Sequence, residues 1–167
     1  MRLRSIVIVG TMLLIALVLQ TTLFSRTSAF VPDLVMLIVI LLALTRVRPE
    51  AVLAIGFFSG LAVDLLGSAV LGLRALVFTV VAYLAIRTRD RADIGRIITA
   101  FWGGILTFAG VVLLLLIGTL FGQSVLLGDG VTDLLVLVPV ANTILTWLFA
   151  PMVVRMVDRD ATAFRYA

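Results

Sequence analysis

Apolar residues run through this chain in six blocks, cut apart by charge, proline or glycine, at about residues 5–24, 27–45, 51–66, 69–86, 97–121 and 131–154. A helix that crosses the hydrocarbon core of a bilayer needs roughly 20 apolar residues, within a range of about 17–25. The first, fifth and sixth blocks meet that length with ease. The second, third and fourth sit at its short end and lean on neighbours. The pattern predicts an all-α integral membrane protein of six transmembrane helices, forming a single domain over residues 1–167 with no soluble part appended. A re-entrant hairpin turning at Gly67-Ser68 would leave the flanks of the third and fourth blocks on the same side; two short spans is the reading adopted.

Composition supports the bilayer as solvent. Of 167 residues, 63% are hydrophobic and 13% charged, and the mean hydropathy is +1.29, more apolar surface than a soluble domain of this size can hide. Cysteine and histidine are absent. That excludes disulfides, thiolate metal sites, cysteine nucleophiles and imidazole bases. The opening MRLRSIVIVGTMLLIALVLQ has the basic start of a signal peptide, with Thr27-Ser28-Ala29 as a formal cleavage site. Its apolar run exceeds the roughly 7–15 residues of a signal core, so it is read as a retained first span.

The 13 basic residues are all arginine. Eleven of them, Arg2, Arg4, Arg46, Arg48, Arg87, Arg89, Arg91, Arg96, Arg155, Arg159 and Arg165, fall on one side of a six-span arrangement. Arg26 lies in a loop on the other side, and Arg74 lies within a span. The positive-inside rule then makes both termini cytoplasmic. The arginines are spread over short loops rather than gathered into a patch, which argues against nucleic acid as a partner. The segment Arg87–Arg96, with alternating signs, reads as a solvated turn near anionic lipid headgroups or as a docking surface.

Few polar residues lie inside the blocks. Gly56, Gly60 and Asp64 are spaced at i, i+4 and i+8, on one helical face. The two glycines form a small-residue ribbon that admits another backbone at close range. A carboxylate at the end of that ribbon keeps the face away from lipid, because an intramembrane charge costs about 2.5–3.5 kcal/mol on insertion scales. Arg74 sits at a comparable depth in the next span, so Asp64 and Arg74 are expected to pair; the alternative is that Arg74 snorkels while Asp64 caps a neighbouring helix. Pro32 and Asp33 suit the first turn of the second helix. Gln20 and Asn142 are expected to act as polar contacts between helices. No carboxylate pair, nucleophile with a base or metal cluster is present inside the blocks, so neither enzymatic activity nor a cofactor or metal is expected.

The stretch Pro32–Ala85 resembles the core of the rod shape-determining protein MreD family. Pro32-Asp33-Leu34, the Gly56/Gly60/Asp64-Leu65 helix end, the pair Leu71-Gly72 and Tyr83 carry the resemblance. Val70 stands where many members have proline. The resemblance implies a multi-pass protein of the bacterial cytoplasmic membrane that acts in cell elongation and cell shape. Its implied partners are the single-span protein MreC, the glycosyltransferase RodA with its penicillin-binding transpeptidase, and MreB directly or indirectly. The glycine ribbon suits a single-span partner, so a partner or helix-packing face is expected at Gly56, Gly60, Asp64, Gly72 and Arg74. The resemblance also implies a likeness to the six-helix substrate-binding subunits of energy-coupling-factor transporters, hence the alternative of a vitamin-binding transporter subunit. That alternative needs a pocket of convergent polar and aromatic groups.

Overall fold

The computed structural model describes residues 3–22, 32–45, 47–67, 70–92, 95–122 and 131–162. They form six helices: α1 (Leu3–Thr22), α2 (Leu34–Leu44), α3 (Pro49–Leu66), α4 (Leu73–Ala92), α5 (Arg96–Leu120) and α6 (Val131–Thr162). Among the described residues, three helical stretches are long and apolar enough to cross a membrane: Pro49–Leu66, Arg96–Leu120 and Leu134–Met156. Shorter apolar stretches lie at Ile6–Thr22 and Leu34–Leu44.

The shortest helix is the centre of the molecule. Every residue of LVMLIVILLAL is apolar, so every face of this helix can pack against a neighbour. Val35, Met36, Leu37, Val39, Ile40, Leu41, Leu42 and Ala43 are all buried. Helices α1, α3, α4, α5 and α6 each touch α2. The α1 helix, apolar along its middle, stays at the rim with Ile6, Val7, Leu14, Ile15 and Val18 exposed.

Local chemistry sets the boundaries. The second helix starts at Leu34, later than the 27 expected, because Pro32 and Asp33 are not helical and Asp33 is its N-cap; residues 27–31 lie outside the described residues. The fourth begins at Leu73 rather than near 69, after a turn in which Gly72 holds φ at +90°, a conformation open to glycine at little cost. Helices α4 and α6 run beyond the apolar limits of 86 and 154, to Ala92 and Thr162. Their extra turns carry charged residues that hydropathy alone ends too soon.

Glycine brings α3 and α4 together. A Cβ at Gly60 would stand 2.5 Å from the Arg74 carbonyl oxygen and 2.6 Å from Ala75 Cα, and one at Gly56 would stand 3.1 Å from the Phe78 oxygen. The ribbon is therefore covered by α4 of the same chain.

Candidate functional site

The polar residues singled out from the sequence converge at the ends of α2, α3 and α4. Asp64 is 2% exposed. Its Oδ2 accepts from the main-chain N–H groups of Gly72 at 2.9 Å, Arg74 at 3.0 Å and Ala75 at 3.4 Å. The Leu73 N–H donates to the Val70 oxygen at 3.2 Å, and the Leu76 N–H to the Gly72 oxygen at 3.0 Å. Every amide of the first turn of α4 thus has an acceptor. A helix N-terminus normally takes such a cap from its own preceding residue; here a different helix supplies it, and the positive end of the α4 dipole faces the carboxylate.

That arrangement corrects the expected pairing of Asp64 with Arg74. The Asp64 carboxylate takes the Arg74 amide, and the Arg74 guanidinium goes to Asp33, with Nη1 3.8 Å from Oδ2. The reason is burial: Asp64 is 2% exposed and faces the main chain at the start of α4, while Asp33 offers an oxygen at a partly exposed position. Asp33 also caps its own helix, accepting from the Met36 N–H at 3.0 Å through Oδ1.

Gln20 ties α1 to the same point. Its Nε2 donates to Asp33 Oδ1 at 3.4 Å, and its Oε1 accepts from the Val35 N–H at 3.3 Å. From the opposite side Asn142, fully buried, donates through Nδ2 to the Asp33 main-chain oxygen at 3.3 Å and to Thr107 Oγ1 at 3.3 Å. Gln20, Asp33, Asp64, Arg74, Thr107 and Asn142 come one from each of the six helices or from the cap that opens it. Pro32 precedes the cap and has no N–H to donate.

Several contributors escaped the sequence reading. Thr107 is one. Gly103 and Gly104 face Thr146 and Thr143 of α6, and Gly110 faces Met36 and Val81. The spacing of Gly103, Thr107 and Gly110 at i, i+4 and i+7 is the signal that finds this second small-residue face. Arg96 is another. Pro151 has no N–H, which leaves the Trp147 carbonyl without its partner one turn on. Arg96 Nε donates to that oxygen at 2.8 Å, and its guanidinium stacks 4.0 Å from the Trp147 ring centre.

Two apolar grooves flank α1. One of about 410 Å³ lies against α3, lined by Gly10, Leu13, Leu17, Ala54, Phe58 and Ala62 among others. The other, of about 190 Å³, lies against α2 and α6, with Ala16, Leu37, Phe149 and Val153 in its wall. Among the described residues no group of three or more His, Cys, Asp or Glu is placed to hold a metal ion.

The family model of the rod shape-determining protein MreD matches residues 1–157 of the 167. The chain belongs to the MreD family. Comparison with curated proteins and with solved structures gives no match. Membership places the chain among membrane proteins that determine rod shape, a structural role rather than that of a known enzyme family. All the residues that carry the resemblance to MreD lie inside the matched region. Of these, Pro32-Asp33, Gly56/Gly60/Asp64 and Gly72 are the ones that build the α2 cap, the α3–α4 contact and the turn between those helices.

Proposed function

We propose that this chain is a non-enzymatic scaffold of the bacterial cell-elongation complex, crossing the cytoplasmic membrane six times with both termini inside. It seats the single-span partner MreC and thereby helps regulate peptidoglycan synthesis by RodA and its transpeptidase, in concert with MreB. The observation that carries this reading is the match to MreD over residues 1–157. The geometry supports it in a second way. The polar side chains bond main-chain groups of other helices and, at Asp33 and Arg74, one another, which ties the bundle together rather than lining a pocket for a polar ligand. The two grooves beside α1 have mainly apolar walls, unlike the convergent polar lining a vitamin site requires.

The glycine ribbon on α3 is closed by α4, so a partner span seats elsewhere. The groove between α1 and α3 is the face we assign to it, because a Cβ at Gly10 meets nothing within 4 Å and leaves room for a close backbone. Gly10→Leu with Ala54→Leu should fill that groove and abolish co-purification with MreC while the folded yield is kept. Undiminished co-purification refutes the seat. Reporter fusions after Arg48, Arg91 and Ala167 should read cytoplasmic, and one after Gly128 external; an external reading at Arg91 refutes the topology.

A further inference from the structure

An arginine at a membrane face ordinarily turns its head out to water and leaves its stem on apolar surface. Arg96 does the reverse. It opens α5, and the rest of that helix, to Leu120, carries no charge. Gly103 faces Thr146 and Thr107 bonds Asn142, which sets α5 antiparallel to α6. Carried back to Arg96, that register puts its Cα level with Val153, about 9 Å along α6 from Trp147. Yet Arg96 Nε donates to the Trp147 oxygen at 2.8 Å, and the guanidinium lies 4.0 Å from the Trp147 ring centre. The side chain therefore runs inward along α6 by about one turn, roughly 5 Å.

That depth is the boundary between hydrocarbon and headgroups. The 25 residues of α5 rise about 37 Å against a hydrocarbon core of about 30 Å, so about 4 Å at each end stands among headgroups. A guanidinium one turn in lies at the level of lipid phosphates, where tryptophan also concentrates. The surface around it is apolar and open: Ile97 and Phe101 of α5 and Ile144, Trp147 and Leu148 of α6 are exposed. A charge in such surroundings calls for a counter-ion. Arginine offers five N–H donors in a planar fork that matches phosphate oxygens, of which Nε serves the Trp147 oxygen. A second positive charge stands over the same place. Trp147, Pro151 and Arg155 follow one another at four-residue steps on one face of α6, and Arg155 is exposed.

We propose that Arg96 and Trp147 form a seat for one anionic phospholipid of the leaflet on the Arg48 side, its phosphate on the Arg96 guanidinium, Arg155 above it, and an acyl chain along the exposed surface of α5 and α6. This goes beyond the scaffold reading and rests on its placing of α5 and α6 across a membrane. Trp147 is the reporter. The chain has two tryptophans, and Trp102→Phe leaves one. That variant is placed in phosphatidylcholine nanodiscs that hold an equal, low fraction of either phosphatidylglycerol or phosphatidylcholine with brominated acyl chains, which quench indole fluorescence at contact. Brominated phosphatidylglycerol should quench about tenfold more per lipid, the order expected of one or two arginines acting on an anionic headgroup. Arg96→Gln should bring the two lipids to parity. Equal quenching before that substitution, or a preference that survives it, overturns the seat. Millimolar inorganic phosphate should leave the quenching unchanged; its loss would make free phosphate the occupant and overturn the lipid. Nanodiscs of brominated phosphatidylcholine alone separate the seat from its premise. Strong quenching there upholds the membrane placement even where the seat fails, and none overturns both. Where Arg96→Gln fails to fold, Pro151→Ala is added to return an N–H to the Trp147 oxygen.

Discussion

A graded series of alanines tests how tightly α3 and α4 are pressed together. A methyl group at Gly60 would stand 2.5 Å from the Arg74 oxygen, 2.6 Å from Ala75 Cα and 2.7 Å from the Ala75 nitrogen. All three are main-chain atoms, so no rotamer change relieves them. Reaching an ordinary contact of about 3.5 Å means moving the helices about 1 Å apart. Overpacking of this kind costs about 1–3 kcal/mol, and rigid backbone on the far side puts Gly60→Ala at the upper end. Alanine returns about 0.8–1.0 kcal/mol of helix propensity. The net loss is about 2 kcal/mol, or a Tm lower by roughly 4–8 °C at the 2–4 °C per kcal/mol typical of chains this size.

Gly56→Ala meets the Phe78 oxygen at 3.1 Å, with the Phe78 carbonyl carbon and Val39 Cγ1 at 3.4 Å, a conflict that the gain in helix propensity nearly offsets. Gly10→Ala meets nothing within 4 Å and should raise Tm slightly. The assay is thermal unfolding of the three purified variants in one detergent, followed by circular dichroism. Equal shifts across the series, or a neutral Gly60→Ala, would refute the α3–α4 contact as the cause.

Three more outcomes rest on the polar contacts. In double-mutant cycles read as folded stability, Arg74→Ala should couple to Asp33→Ala by about 0.5–1 kcal/mol, a figure held down by the partial exposure of the pair; its coupling to Asp64→Ala should be weaker, because Asp64 holds the Arg74 amide, which alanine retains. Exchanging the charges at Asp64 and Arg74 should rescue nothing, and a recovered fold would show that those two side chains pair. Arg96→Ala should cost about 1–2 kcal/mol by leaving the Trp147 oxygen unpaired, and Pro151→Ala, which restores an N–H to that oxygen, should absorb most of the loss; full additivity of the two changes would refute the strap.

Helix number and the identity of the chemically eventful residues were legible because both rest on contrast. Six apolar blocks separated by charge give six helices whatever surrounds them. Gln20, Asp33, Asp64, Arg74 and Asn142 stand out because an intramembrane polar group needs a partner. What contrast does not carry is which apolar face looks inward. In water, hydrophobic periodicity marks the buried side of a helix; in lipid both sides are apolar. So the apolar runs of α2, with eight of its 11 residues buried, and of α1, mostly exposed, do not say by themselves which one is central. Its start was misplaced for a related reason. Residues 27–31 have a composition that a span tolerates, and only the cap at Asp33 shows that the helix starts later.

The exchange of partners around Arg74 shows where sequence spacing ends as a guide. Spacing put Asp64 and Arg74 at one depth, which is correct: the amide of one meets the carboxylate of the other at 3.0 Å. It could not say that the turn at Gly72 would aim three N–H groups at that carboxylate before the guanidinium arrived. The Arg74 side chain serves a second acid, at the cap of another helix. One residue then joins α3 through its backbone to α2 through its side chain, and Asp33 passes the connection to α1 through Gln20 and to α6 and α5 through Asn142. A simple Asp64–Arg74 pair would have tied together only two helices that the glycines already hold. The observed arrangement ties all six, and it does so at the start of α2, where the Val35 and Met36 amides of the first turn need acceptors and find them in Gln20 and Asp33.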